Sequence, residues 1–400
     1  MNKLFEASGF SGSRKKKSSF LKKRSKKLLS ILLLGTMTAG TAYAQTPVGL
    51  LPGTMHHSTL TSTIPDNGDL NPYAVIVAPT SAGTIHQGDI LVDNFNNLSN
   101  LQGTGTSIVA IDPNTHETRL FADLSKHEAD CPGGIGLSTA MAMLKSGYII
   151  VGSTPSRDGS VNTKGPGCLM VLDATGKFIA SWTGPNINDP WGNVALVDNG
   201  TSAILFVSMA GFDVPGLLPK DPATGYPMTV AKAKVIRFDL TIPAGQPPQI
   251  ASQTIIADGF GQRGDHSVFL IGPTGLALGG DGTLYVSDAL GNRVTAVANA
   301  VNRTDSAGIG DVITSGGLLR RPLALILTPQ NHLLAVNAQN GEVVEIDLAA
   351  KKQLFAQWID TNEAQQPPGN GDLFGLALRP DGKGFYYVED DVNALVEAGP

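Results

Sequence analysis

With 400 residues, 42 % of them hydrophobic and 16 % charged, the chain could hold two average domains or one repeat array. Ten of its 29 Lys/Arg and one of its 34 Asp/Glu fall in the first 44 positions, so residues 45–400 carry 19 basic against 33 acidic groups, a formal charge near −14. A chain of that sign lacks the basic footprint that nucleic acid or anionic lipid requires, and both are excluded as partners.

The N-terminal stretch reads as a leader rather than as part of the fold. Residues 14–27 are densely basic, residues 28–34 are apolar, and a small-residue tail ends in Ala42-Tyr43-Ala44. This is the order of a secretory signal peptide, with cleavage expected after Ala44. The apolar stretch is too short for a good spanning helix. The expected product, residues 45–400, is periplasmic or secreted, with no membrane span after cleavage.

Past the leader, 47 glycines and 25 prolines punctuate short apolar runs, and no long helical periodicity appears. Six runs end in valine followed by a small or polar residue, at Val92, Val151, Val207, Val286, Val336 and Val388. Steps of 50 to 79 residues between them mark a repeat architecture. Before each run lies a segment with small residues, starting near Pro72, Ile135, Trp191, Thr274, Pro322 and Phe374. After each comes an alternating strand that often ends in Asp, and in five units a weaker fourth strand follows. Four antiparallel strands repeated six times predict an all-β, six-bladed propeller in a single domain. Gly and Ala suit inner strands that crowd a narrow channel, and continuous apolar runs suit second strands sandwiched between blades.

The sixth unit reaches Pro400 without a fourth strand, and an open sheet edge would invite aggregation. Residues 58–64, Ser-Thr-Leu-Thr-Ser-Thr-Ile, have the composition to supply it. A non-covalent closure by an N-terminal strand is therefore expected.

In a four-stranded blade, the loop leading into the first strand and the loop joining the second to the third open on one face. The second of these is long in blades one to three (residues 93–107, 153–167 and 209–232) and short in the rest. Loops longer than the turn requires are usually functional or disordered. Cys131 and Cys168 fall in loops at the same end, and an even pair in an exported chain predicts a disulfide. Register also points a set of polar residues at that mouth. Asp93, Asn94, Asp288, Asn337, Glu389 and Asp390 stand at second-strand ends; Asn193, Thr274, Arg321 and Asp372 stand near first-strand starts.

The unit from Gly272 to Val294 carries Pro273-Thr274-Gly275-Leu276-Ala277, then Asp281-Gly282, then Leu284-Tyr285-Val286-Ser287-Asp288, then Asn292-Arg293-Val294. It resembles the repeat of NHL propellers, and the unit from Leu373 to Val388, with Pro380-Asp381-Gly382, is the next most similar. The gluconolactonase/senescence-marker group and the peptidyl-amidating lyases share that architecture, and fold alone does not choose among their functions. In the gluconolactonase-like propellers, Glu, Asn and Asp from several blades hold one divalent metal that activates water. The resemblance implies Asp288 and Asp93 as ligands for Ca²⁺ or another divalent metal, although Thr274 stands where an amide ligand would be and no blade-one glutamate is present. The amidating lyases hold zinc through histidines that precede first strands. Here the seven histidines show no metal-ligand spacing, and only His127 and His266 fall in such loops, several residues away. Gly-x-Ser-x-Gly is absent.

Two functional expectations follow. The first is a monomeric propeller that binds a small molecule, glycan or protein partner on its loop-rich face. The second is a metal-dependent lactonase or ester hydrolase with an axial carboxylate and amide site.

Overall fold

The computed structural model describes residues 49–214, 220–223, 225, 227–265, 268–360, 362, 364–371 and 373–400. The expected leader, His266 and Asp372 lie outside the described residues. Among those described, no helix is long and apolar enough to cross a membrane.

The molecule is a six-bladed β-propeller. Strand β1 (His56–Ser62) comes first and belongs to the last blade. Blade one is β2 (Leu70–Val77), β3 (Ile90–Asn96), β4 (Ser107–Ile111) and β5 (Thr118–Asp123). Blade two is β6 (Leu137–Met143), β7 (Ile149–Ser153), β8 (Cys168–Leu172) and β9 (Phe178–Trp182). Blade three adds a fifth strand: β10 (Ala195–Asp198), β11 (Ser202–Met209), β12 (Val230–Thr241), β13 (Gln249–Asp265) and β14 (Phe269–Ile271). Blade four is β15 (Pro273–Leu278), β16 (Leu284–Asp288), β17 (Arg293–Val297) and β18 (Asp311–Ser315). Blade five is β19 (Pro322–Leu327), β20 (His332–Asn337), β21 (Glu342–Asp347) and β22 (Lys352–Trp358). Blade six is β23 (Leu373–Leu378), β24 (Phe385–Glu389) and β25 (Ala394–Gly399), completed by β1.

Closure follows the expected route. Strand β1 pairs antiparallel with β25 from His56↔Gly399 to Ser62↔Ala394, with one bulge between Thr59 and Thr61. The segment just before it is anchored on blade five. Both oxygens of the Glu345 carboxylate accept backbone N–H groups, from Leu50 at 2.8 Å and Leu51 at 2.9 Å. His332 Nδ1 lies 2.8 Å from the same carboxylate, and Glu345 is fully buried. A carboxyl group taken out of water needs hydrogen-bond partners of this kind.

Burial explains why each strand has its composition. Strands β3, β4, β7 and β8 are buried at every position, whereas the outer strands β9, β18 and β22 are half-buried or exposed. Apolar side chains of adjacent blades meet in separate clusters, such as Leu91, Ile108, Met141 and Val151 between blades one and two. Each fully buried Leu, Ile or Val there contributes about 1.5–3 kcal/mol. The glycines of the inner strands sit where neighbouring backbones crowd. A Cβ on Gly192 would come within 1.4 Å of the Thr274 carbonyl oxygen, and one on Gly375 within 2.2 Å of that of Tyr73.

The extra strand of blade three has a local cause. Strand β13 runs on past the expected blade end, its pairing with β12 interrupted by four register shifts, and its last residues pair with β14 (Arg263↔Ile271 to Asp265↔Phe269). The Arg263-Gly264-Asp265 triplet is therefore part of a ladder and is buried.

Candidate functional site

The inner strands run from the loop-rich face toward the opposite face, and in blades one, four, five and six they share one irregularity. In blade four Pro273 pairs with Asp288, but the next pair is Leu276 with Val286, so the strand arches between them. The same break occurs at Pro72/Val75, Pro322/Leu325 and Leu373/Leu376. An arch takes backbone N–H groups out of the ladder, and each needs another acceptor. Second-strand side chains supply it. Ser287 Oγ accepts from Gly275 at 2.6 Å, Ser208 Oγ from Gly192 at 3.1 Å, Ser153 Oγ from Gly136 at 3.0 Å and Asp93 Oδ1 from Ala74 at 2.7 Å. Ser208 and Ser287 donate onward to carbonyls of the next blade, Thr274 and Leu323.

Asp93 occupies this position with a carboxyl. Burial raises its pKa to about 8, opposed by the N–H of Ala74. Burial thus favours its neutral form, and its Oδ2 has no hydrogen-bond partner among the described residues.

Below the mouth an aromatic plug fills the channel. Tyr73 stacks on Phe374 at 4.0 Å and on Phe95 at 4.4 Å between ring centroids, and Trp191 meets both Tyr73 and Phe95 edge-on at 5.8 Å. Phe269 joins at 5.5 Å from Phe95 with φ +61°, a left-handed backbone rare for a bulky residue and held here by the packed rings. Offset and edge-to-face contacts of this kind contribute about 0.5–1.5 kcal/mol each beyond burial.

On this floor rests a cavity of about 260 Å³ whose walls include Asn71, Gln102, Asp265, Arg321, Gln339 and Asp390. Arg321 precedes Pro322, which starts β19, and Asn71 precedes Pro72 inside β2; both are left-handed, at φ +57° and +63°. The Arg321 backbone is clamped in that shape. Its N–H donates to Asn292 Oδ1 at 2.8 Å, and its carbonyl accepts from Ala338 N–H at 3.0 Å. Asn71 is held by its own N–H on Asn393 Oδ1 at 2.7 Å. Burial holds the Tyr73 phenol well above its ordinary pKa, with Asp390 and Asp93 pushing the same way and the adjacent Asn71 amide opposing them. Among the described residues neither Asn71 Oδ1 nor the Tyr73 hydroxyl closes a hydrogen bond of ordinary geometry. Two buried polar groups at a cavity wall thus lack well-formed partners among the described residues.

Of the residues expected at this mouth, Arg321 and Asp390 line the cavity. Four others are fully buried and serve the fold. Asp93 caps Ala74. Asn94 Nδ2 donates to Thr63 O and Ser107 Oγ, tying blade one to the segment after β1. Asp288 accepts from Gly291 N–H at 2.9 Å and pairs with Arg293 at 2.7 Å, closing its own hairpin. Asn337 receives the Arg320 N–H and donates to Leu318 O. Thr274 is likewise buried, its hydroxyl on Gly272 O. Asn193 lies elsewhere. It lines a cavity among Val77, Leu278, Leu327 and Leu378, which are the far ends of the inner strands. There its amide bridges Leu276 O and Leu325 O at 3.0 Å each.

The donor set does not fit a divalent metal. Asp93 and Asp288 are committed to backbone and guanidinium donors, and among the described residues no group of three or more His, Cys, Asp or Glu is placed to hold an ion. Sequence reasoning missed the aromatic floor, although Tyr73, Trp191 and Phe374 all sit beside inner-strand starts.

The lid loops of blades one and two fall where the repeat put them. Blade one contributes Gln102 to the central cavity, and blade two contributes Asp158 and Gly159 to the cavity beside it. Cys131 and Cys168 form a disulfide with Cα atoms 5.6 Å apart, and Gly167 N–H donates to Pro132 O beside it. Lys164 of the same loop reaches the buried Asp189 at 2.6 Å. Burial raises the Asp189 pKa to about 6 against the pull of that lysine.

No family model matches the chain, and no curated protein does. Solved structures do match. A gluconolactonase from Xanthomonas campestris aligns with TM-score 0.51 and 15 % identity over 87 % of this chain and 92 % of its own. A luciferin-regenerating enzyme aligns with TM-score 0.50 and 9 % identity over 86 % and 95 %. The chain has the fold of the gluconolactonase-like six-bladed propellers. Identities this low speak for the fold alone, and the disulfide and the lack of a membrane-spanning helix among the described residues are compatible with export.

Proposed function

We propose that this propeller is an exported, monomeric, NHL-like binding protein that takes a small, hydroxyl-rich molecule of the sugar class into the central cavity of its loop-rich face. The observation that carries the reading is Arg321. A bulky residue in the left-handed region costs about 1–3 kcal/mol and persists where its surroundings over-determine it, often at ligand sites. Here the strain puts a planar five-donor group at a cavity that also offers amides and carboxylates over an aromatic floor. Paired donors and acceptors around one cavity suit a ligand that carries several hydroxyls. A metal-dependent lactonase reading draws on the fold likeness alone, and the donor set does not support it.

The test is Arg321→Gly, assayed by calorimetric titration with D-glucose, D-galactose and N-acetylglucosamine, alongside a melting curve. Glycine accepts the left-handed backbone, so the variant should melt at the same temperature or higher while losing sugar binding. Binding by the variant as tight as by the parent would refute the role given to Arg321.

A further inference from the structure

The central cavity shares its walls with two neighbours. Gln339 and Asn370 also line a cavity of about 520 Å³ over blade five, and Asn71, Gln102 and Asp390 also line one of about 540 Å³ over blade one. Shared wall residues make the three a single trough across the face.

The two ends differ in chemistry. At the blade-five end Trp358, the last residue of β22, is 61 % exposed and forms a wall with Arg320, Gln366 and two prolines, Pro367 and Pro368. An indole left in water at the rim of the trough forgoes the gain of burying it, which amounts to a large apolar area. At the blade-one end stand Asn96, Asn100, Asp158 and Asp391. Asn96 is 3 % exposed; its Nδ2 donates to Asn100 Oδ1 at 2.7 Å, while its own Oδ1 has no hydrogen-bond partner among the described residues. A buried acceptor in a cavity wall is unsatisfied until something in the cavity donates to it.

We propose that the trough is a row of subsites for an uncharged oligosaccharide, with Trp358 as the stacking platform for one of its rings. This deepens, and rests on, the sugar reading of the central cavity. The electron-rich indole face attracts the C–H face of a pyranose, and side-chain amides meet neighbouring hydroxyls with a donor and an acceptor each. The sign of the charges selects against acidic chains. Asp158, Asp390 and Asp391 line the blade-one end, so a polyuronate would set carboxylate against carboxylate there.

The experiment is calorimetric titration of the whole protein with cello-, malto- and N-acetylchito-oligosaccharides of one to six units, and with oligogalacturonates. In at least one uncharged series the affinity should rise with length by about tenfold or more, the scale of one additional hot-spot contact. Trp358→Ala should abolish that rise and leave the monosaccharide Kd within about twofold. Trp358 is exposed, so the variant should melt with the parent, which separates lost contact from lost fold. Affinity independent of chain length, an unchanged rise in Trp358→Ala, or tighter binding of oligogalacturonates would overturn the trough. If monosaccharide binding survives without length dependence and is lost in Arg321→Gly, the trough fails while the central site stands. No binding of any sugar overturns both.

Discussion

Replacing Asp93 with serine should make the propeller more stable at neutral pH and leave it nearly unchanged in acid. Blades two, three and four perform the same kind of capping with Ser153, Ser208 and Ser287, so the substitution retains an acceptor for the Ala74 N–H in a geometry the fold already uses. The magnitude comes from linkage. The carboxyl titrates near pH 3.8 when exposed and at about 8 in the fold, where burial disfavours its charge. Below the unfolded value it is protonated in both states and costs nothing. As pH rises the unfolded chain releases its proton first, so stability falls until the folded value is passed, with a slope of at most about 1.4 kcal/mol per pH unit. At pH 7 the accumulated penalty is about 4 kcal/mol. Serine leaves a small void that returns about 1 kcal/mol of that gain. Urea unfolding of both proteins at pH 4.5, 6, 7 and 8 should therefore show a stability difference that grows to about 3 kcal/mol by neutrality. A difference that stays flat with pH would mean that Asp93 is ionised in the fold, and the account of its environment would be wrong.

Glu345→Ala should destabilise by about 3–5 kcal/mol, because it strips two buried N–H groups and His332 of their shared acceptor. Denaturant unfolding measures it, and a loss below about 1 kcal/mol would show that Leu50 and Leu51 find other acceptors. Breaking the disulfide by Cys131→Ser with Cys168→Ser should cost about 4 kcal/mol for the 37-residue separation, read from the shift in the urea midpoint; no shift would falsify its stapling role. Gly192→Ala should prevent folding or lower the melting temperature steeply, since the new Cβ meets a carbonyl oxygen rather than a side chain that could turn away. Normal melting by that variant would mean that the blade-three arch can move.

The architecture was legible because a propeller writes its strands in order, and each blade repeats a burial pattern that the residues must match. Blade count, the long loops, the cysteine pairing and the borrowed strand all follow from that order. Register was less legible. Indexed on valine, blades five and six slip by one residue against blade four: Asn337 and Glu389 stand at the place of Asp288, and Val336 and Val388 at that of Ser287. The site was half-legible for a related reason. Alternation along a strand shows which residues share a face, yet the inner-strand arch turns one second-strand position into a cap for a neighbour's backbone. Asp93, Asn94, Asp288 and Asn337 carry the chemistry of ligands and spend it on that task. Arg321 and Asp390 escape because they lie just beyond the ladder, in the turns. Nothing in the sequence sets Trp358 apart from other outer-strand residues; its place at a cavity rim does.

The borrowed strand also sets the order in which the molecule can be completed. His57 on β1 meets the Tyr387 hydroxyl across 330 residues of sequence, so blade six cannot finish until nearly the whole chain is available. Five blades are local and the sixth has very high contact order, which makes ring closure the expected slow step of folding. Until that step, β25 carries an open edge. A circular permutant that moves β1 behind Pro400 would turn the last blade into a local one, and it should close faster without changing a single native contact in the ring.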